Sequence, residues 1–283
     1  MIDLHCHSNC SDGSDPPQVL TALADQAGLK AVALTDHDTL VGLDVFMDQQ
    51  RRVSALLVPG IELSCEFLRQ EIHVLGLFIN HRDPLFQKRV DTLLLRRQRR
   101  NAQIFQKLSD LNMNLSPEKF FYGEEPELIT RAHIAEMLTE AGYADTKAEA
   151  FKKYLGEEGL AYTPFEHLSA EEAFTWIREA RGIPVIAHPA RYGSFARGWF
   201  TWDRAMADLR DKGAMGIEVY YADHTDSETE YFLKLCCALG MAPAGGSDYH
   251  GRIKPGCKLG RGWGRLYVPD SVLEKLLEKL PGR

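Results

Sequence analysis

The sequence contains no Cys-x-x-Cys pair, no internal repeat, no low-complexity tract and no apolar run approaching the about 18 residues that a membrane helix needs. Its N-terminus also lacks a charged stretch followed by an apolar one, the mark of a secretory leader. No membrane association is therefore expected, and a cytoplasmic location is. A basic excess is missing too: 33 Lys and Arg face 40 Asp and Glu, a formal charge of -7. That balance argues against a surface devoted to long nucleic acid and leaves short anionic substrates open. The cysteines at 6, 10, 65, 236, 237 and 257 are expected to be reduced, and no stable protein partner is evident. With 283 residues, 45% hydrophobic and 26% charged, the chain can hold one barrel and an inserted piece.

What is present gathers first at the start. Ile2 to Leu4 read as a short strand, on which His5 and His7 share a face with Cys6 opposite. Gly13 permits a tight turn that returns the Asp12 carboxylate to the strand end, setting a hard oxygen beside two nitrogens. A lone His-x-His is also what a half-buried strand carries, so repetition decides the matter. Other apolar runs lead into Thr35-Asp36-His37-Asp38, Glu62, Ala187-His188-Pro189 and Ser247-Asp248-Tyr249-His250, while His73 sits inside an apolar run. Groups at the C-terminal ends of several strands converge at one mouth in a β/α barrel.

These motifs, His5-x-His7, Ser11-Asp12-Gly13, Thr35-Asp36-His37, Gly60-x-Glu62, His73-Val74-Leu75-Gly76, Ala187-His188-Pro189 and Ser247-Asp248-x-His250, together resemble the PHP (polymerase and histidinol phosphatase) phosphoesterase family. The resemblance runs through nearly the whole chain. It implies a distorted (β/α)7-8 TIM-like barrel binding two or three divalent ions. It places His5, His7, Glu62 and Asp248 around one, Glu62, His73 and His188 around a second, and Asp12, His37 and His250 around a third. Imidazoles and carboxylates without thiolate suit manganese, zinc or iron, manganese being the expected ion. Paired ions activate water and neutralise phosphoryl oxygens during in-line displacement. Asp248 or Asp12 is then a candidate proton relay, His250 a candidate proton donor to the leaving oxygen, and Arg191 a clamp for the scissile phosphate.

Along the chain, strands are expected near 2, 31, 57, 72, 183, 216, 242 and 266, with a first helix capped by Asp15 and a capping box at Ser169 and Glu172. Between about residues 83 and 165 the βα alternation stops. This stretch reads as a helical insertion over the mouth, leaving 1-82 and 166-283 as the barrel. Its first helix carries Lys88, Arg89, Arg96, Arg97, Arg99, Arg100 and Lys107, which form either a solvated face or an anion-binding wall. Arg97, Arg100, Arg131, His133, Lys152 and Lys153 are the candidate substrate contacts there.

Ile129-Thr130-Arg131-x-His133, Phe151-Lys152-Lys153-Tyr154-Leu155 and Ala187-His188-Pro189-Ala190-Arg191-Tyr192 further resemble one PHP subgroup. Its members remove the 3'-phosphate of nucleoside 3',5'-bisphosphates, and some degrade short 5'-phosphorylated RNA from the 5' end. The expected partner is therefore a small nucleotide or short oligoribonucleotide. Histidinol-phosphate phosphatase and a non-catalytic metal- or nucleic-acid-binding module are the competing readings. The first would lack a basic helical lid, and the second would be expected to have lost ligands.

Overall fold

The computed structural model describes residues 1–117, 129–164, 166–192 and 201–280. Seven strands form one curled sheet: β1 (Ala31–Leu34), β2 (Leu56–Phe67), β3 (Gln70–Leu77), β4 (Leu168–Ser169), β5 (Ile183–Ile186), β6 (Gly216–Tyr221) and β7 (Ala242–Gly246). Their order is β1-β2-β3-β5-β6-β7, with β4 paired to β2. β3 runs antiparallel to both β2 and β5, and the remaining pairs are parallel. Strands 31–34 and 183–186 are buried at every residue, as expected of strands covered on both faces.

Residues 2–7 are extended but form only single bridges, Asp3 to Val32 and Cys6 to Tyr249, rather than the expected strand. They nonetheless bond both edges of the sheet. Asp3 N donates to Ala31 O at 2.9 Å and Leu4 N to Gly245 O at 3.0 Å, so the segment closes β7 onto β1 as a distorted barrel. The expected strand near 266 is likewise irregular, with Val268 O accepting from Ile2 N at 3.2 Å.

The described α-helices are α1 (Pro17–Gln26), α2 (Gly42–Met47), α3 (Pro84–Asp110), α4 (Arg131–Glu140), α5 (Lys147–Ala150), α6 (Ala170–Glu179), α7 (Trp202–Asp211), α8 (Asp226–Leu239) and α9 (Asp270–Leu277), with a π-helical turn at Phe151–Leu155 and 3-10 turns at Pro189–Arg191 and Gly251–Ile253. Pro16, not Asp15, caps α1, because Asp15 is turned away to accept from Tyr249 OH at 2.6 Å. The capping box at Ser169 and Glu172 opens α6 as read from sequence.

Helix α3 serves two cores. Phe86, Val90 and Leu93 join the main cluster under β2 and β3, whereas Ile104 and Leu108 pack with Ile134, Leu138, Tyr154 and Leu155 in a separate one. The described part of 83–165 contributes helices and no strand, and residue 165, the expected boundary, lies outside the described residues. No described helix is long and apolar enough to cross a membrane.

Candidate metal centre

Glu62, on β2, is buried at the mouth and meets five imidazoles. Its Oε2 lies 3.2 Å from His5 Nε2, 3.1 Å from His7 Nε2 and 3.3 Å from His37 Nδ1. Its Oε1 lies 2.9 Å from His73 Nδ1 and 3.0 Å from His188 Nε2. Asp248 Oδ1 stands 3.5 Å from His5 Nε2, 3.3 Å from His7 Nε2 and 3.5 Å from His250 Nδ1. Asp12 completes the cluster, 3.2 Å from His250 Nε2 and 3.7 Å from His37 Nε2. The structure thus brings all nine expected ligands to one mouth.

Local chemistry explains how. His73 is the second residue past Glu71 on the reversed strand β3, so it enters the mouth from that strand's N-terminal half and pairs in register with Ser64 of β2. Asp36 accepts from Ser8 N at 2.7 Å, Ser8 Oγ at 2.6 Å and Ser11 Oγ at 2.5 Å, shaping the loop that carries Asp12. At Gly13 a Cβ would sit 2.4 Å from His7 O, so only glycine lets that loop fold back. His188 (φ 27°) and Asp248 (φ 52°) hold positive φ, a strain of order 1–3 kcal/mol each that the surrounding barrel must over-determine.

Two features fit this constellation to divalent ions. Donor separations of 3.1–3.5 Å within the His5, His7, Glu62 and Asp248 set match the about 3.4 Å between tetrahedral ligands held at about 2.1 Å. His7 Nδ1 and His37 Nδ1 are buried without a hydrogen-bond partner among the described residues, which leaves nitrogens for a cation. Among the described residues the possible metal groups are His5, His7 and Asp248; His5, Glu62 and His188; His37, Glu62 and His73; and His7, Asp12, His37 and His250. His37 therefore faces both the second and the third of the expected sites.

The electrostatics carry the same sign. Burial works against the charged form of Glu62, yet His37, His5 and His73 hold its carboxyl well below the usual range, and Asp12 and Asp248 behave likewise. Burial also opposes charge on His7, but its bonds to Asp248 and Glu62 prevail and lift it to about 10, while Glu62 lifts His73 to about 9. Burial dominates at His37, pushing it down to about 4. Without a cation, protons on some of the imidazoles offset the three carboxylates.

Three groups that sequence reasoning missed organise the ligands. Glu218, wholly buried on β6, accepts from His5 Nδ1 at 2.9 Å, turning the His5 Nε2 toward Glu62, and from the His188 backbone N at 2.7 Å, fixing the main chain that carries that ligand. A glutamate inside the apolar run Gly216-Ile217-Glu218-Val219-Tyr220 was the available signal. Tyr221 OH and Lys254 Nζ each donate to Asp248 Oδ2 at 2.8 Å, leaving Oδ1 facing the histidines.

A cavity of about 380 Å³ opens over the cluster. Arg191, Arg131 and Arg97 line it, together with Lys254. Arg191 Nη1 lies 3.8 Å from Asp248 Oδ2, and Arg131 Nη2 donates to Glu71 Oε2 at 2.7 Å. Arg97 is buried in an ion pair with Asp38 and donates to Ser64 Oγ at 3.1 Å. The other expected contacts are not at the wall. His133 is engaged in the capping box of α4, its Nδ1 accepting from Thr130 N at 3.2 Å. Arg100 is buried behind Arg97, where desolvation above all lowers its pKa to about 9. Lys152 and Lys153 are exposed, Lys153 pairing with Glu149, because the π-helical turn Phe151–Leu155 sends Phe151 rather than the lysines into the cavity.

Comparison with known proteins adds the following. A family model described as the PHP domain matches residues 3–181. The 5'-3' exoribonuclease Rnm of Salmonella typhimurium is 30% identical over 274 residues, covering 96% of this chain and 91% of the relative. The 3',5'-nucleoside bisphosphate phosphatase of Chromobacterium violaceum is 31% identical over 253 residues, covering 88% and 87%. Among solved structures, a protein of Bifidobacterium adolescentis assigned as a metal-dependent phosphoesterase superposes with a TM-score of 0.82 at 26% identity, covering 97% of this chain and 94% of the other.

Proposed function

The chain belongs to the PHP domain family and is a phosphoesterase, and from its site we propose that it removes the 3'-phosphate of nucleoside 3',5'-bisphosphates. One observation carries this reading. Cationic side chains line the cavity over the nine-ligand cluster in two places, Arg191 with Lys254 beside Asp248, and Arg131 of α4 beside Glu71, while Arg97 is held by Asp38. Two phosphates are what such a cavity can hold at once.

In this reading the nine ligands would hold two or three divalent ions, with manganese the ion to test. Ions bound there would supply Lewis-acid polarisation of the phosphoryl oxygens. The chain does the rest. Arg191 and Lys254 grip the scissile phosphate, and Arg131, the first residue of α4, takes the 5'-phosphate. His250, expected as the proton donor, is read here as a ligand only, because its Nδ1 donates to Asp248 O at 2.9 Å and its Nε2 faces Asp12; water attacks phosphorus and a water molecule protonates the leaving 3'-oxygen. Asp12 serves the proton relay better than Asp248, whose Oδ2 already accepts two strong hydrogen bonds. The helices of 83–165 act as a lid over this cavity.

The exoribonuclease relative supports a second activity, hydrolysis of short 5'-phosphorylated RNA from the 5' end. The test is phosphate or nucleotide release with manganese from adenosine 3',5'-bisphosphate, histidinol phosphate and a short 5'-phosphorylated RNA in parallel. Turnover fastest on the bisphosphate and lost in His37→Ala supports the reading, and turnover fastest on histidinol phosphate defeats it.

A further inference from the structure

Glu71 belongs to no ligand set, yet it stands where the metal centre and the lid meet. It lies on β3 two residues before His73, so both side chains leave the same face of the strand. Its Oε1 is 3.6 Å from His73 Nε2, on the ring edge opposite the Nδ1 that faces Glu62 at 2.9 Å. Its Oε2 accepts from Arg131 Nη2 at 2.7 Å and lies 3.9 Å from His167 Nε2. One carboxylate therefore addresses a ligand histidine from the barrel, an arginine from α4 and a histidine from the chain leading to β4.

We infer that Glu71 is the positioning residue that joins the two halves of the site: it fixes the His73 ring with Nδ1 toward the ion, and it holds Arg131 in place to select substrates bearing a second phosphate. This rests on the bisphosphate reading above.

The physical case has two parts. A ligating histidine needs its other ring nitrogen to donate to an acceptor, because that bond sets the tautomer and stops the ring from rotating. Glu71 Oε1 faces His73 Nε2 at 3.6 Å, an ion-pair distance that a small turn of the ring would shorten to a hydrogen bond, while His73 Nδ1 is turned inward to Glu62. An arginine side chain, in turn, loses considerable rotamer freedom when it grips a phosphate. With Nη2 tied to Glu71, Arg131 is held before the substrate arrives, and its remaining donors stay available for the phosphate.

The arrangement makes the selection depend on the join. Swapping Glu71 for glutamine keeps the shape while removing the charge that orients both neighbours. It should weaken one metal equivalent and relax the preference for a bisphosphate over a 3'-monophosphate.

The experiment uses the full-length protein and the variants Glu71→Gln, Glu71→Asp and Arg131→Met, together with the Glu71→Gln/Arg131→Met double variant. Calorimetric titration of the stripped proteins with manganese, without substrate, reads the His73 link. One equivalent in Glu71→Gln should bind about 10- to 100-fold more weakly than in the parent while the others hold. Equal affinity at every equivalent overturns that link. The ratio of kcat/KM for adenosine 3',5'-bisphosphate to that for adenosine 3'-monophosphate reads the Arg131 link. It should fall by about tenfold or more in Glu71→Gln, fall no further in the double variant than in Arg131→Met, and recover in part in Glu71→Asp. Additive losses in the double variant overturn it. A parent enzyme indifferent to the 5'-phosphate would defeat the bisphosphate reading and the Arg131 link together, with the manganese titration still deciding the link to His73.

Discussion

Glu218 Oε1 accepts from His5 Nδ1 at 2.9 Å, and both side chains are fully buried. The bond turns His5 Nε2 toward Glu62, and the second Glu218 oxygen fixes the His188 backbone, so one acidic side chain orients two of the nine ligands. Glu218→Gln should retain the fold and weaken manganese binding by about 10- to 100-fold. Calorimetric titration checks this, and unchanged affinity would mean that the His5 ring is fixed by packing alone.

Metal binding should release protons and strengthen as pH rises. His7 at about 10 and His73 at about 9 carry protons in the metal-free protein at neutral pH, and ligation requires both to be neutral. Titrations from pH 6 to pH 9 in buffers of different ionisation heat should give a positive proton release and rising affinity. The metal-free fold should show the opposite trend. Both values are raised above an unfolded histidine, so their stabilising contribution is complete below about pH 6.5 and is lost as pH climbs through about 9 to 10. Thermal unfolding of stripped protein across that window should show a falling midpoint, with a smaller fall for the manganese-loaded form.

Arg97 should matter to stability before it matters to substrate. It is buried with Asp38, so Arg97→Met leaves a carboxylate unpaired and should cost about 3 kcal/mol or more. Denaturant unfolding checks the loss. Arg191→Met and Lys254→Met, whose cationic ends reach the cavity, should instead lower kcat/KM by about 100-fold with little change in unfolding midpoint.

Lys152→Ala and Lys153→Ala should leave KM for a bisphosphate within about twofold of the parent, because both side chains are exposed and an exposed pair such as Lys153 with Glu149 contributes little. A large rise in KM would place these lysines back at the substrate.

The ligands were legible because each sits where an apolar run meets a polar residue that is costly to bury alone, as at Glu62, His188 and Asp248. His73 broke that pattern for a topological reason. On the reversed strand β3 the mouth lies at the start of the apolar run, so the ligand precedes Val74 to Leu77 rather than following them. The lid contacts were legible only in part. Helical spacing does not reveal which face of α3 or of the Phe151–Leu155 turn meets the barrel, and a π-helical turn shifts the phase that an α-helical reading assumes. His133 read as a substrate contact but is consumed by a cap, and Glu71 gave no signal because its partners come from sequence-distant α4 and the chain before β4.

The most direct test is the identity of the product from adenosine 3',5'-bisphosphate with manganese, followed by phosphorus NMR. The account predicts adenosine 5'-monophosphate and free phosphate, with no release by the stripped protein. Adenosine 3'-monophosphate as the product, or undiminished release after stripping, would contradict it.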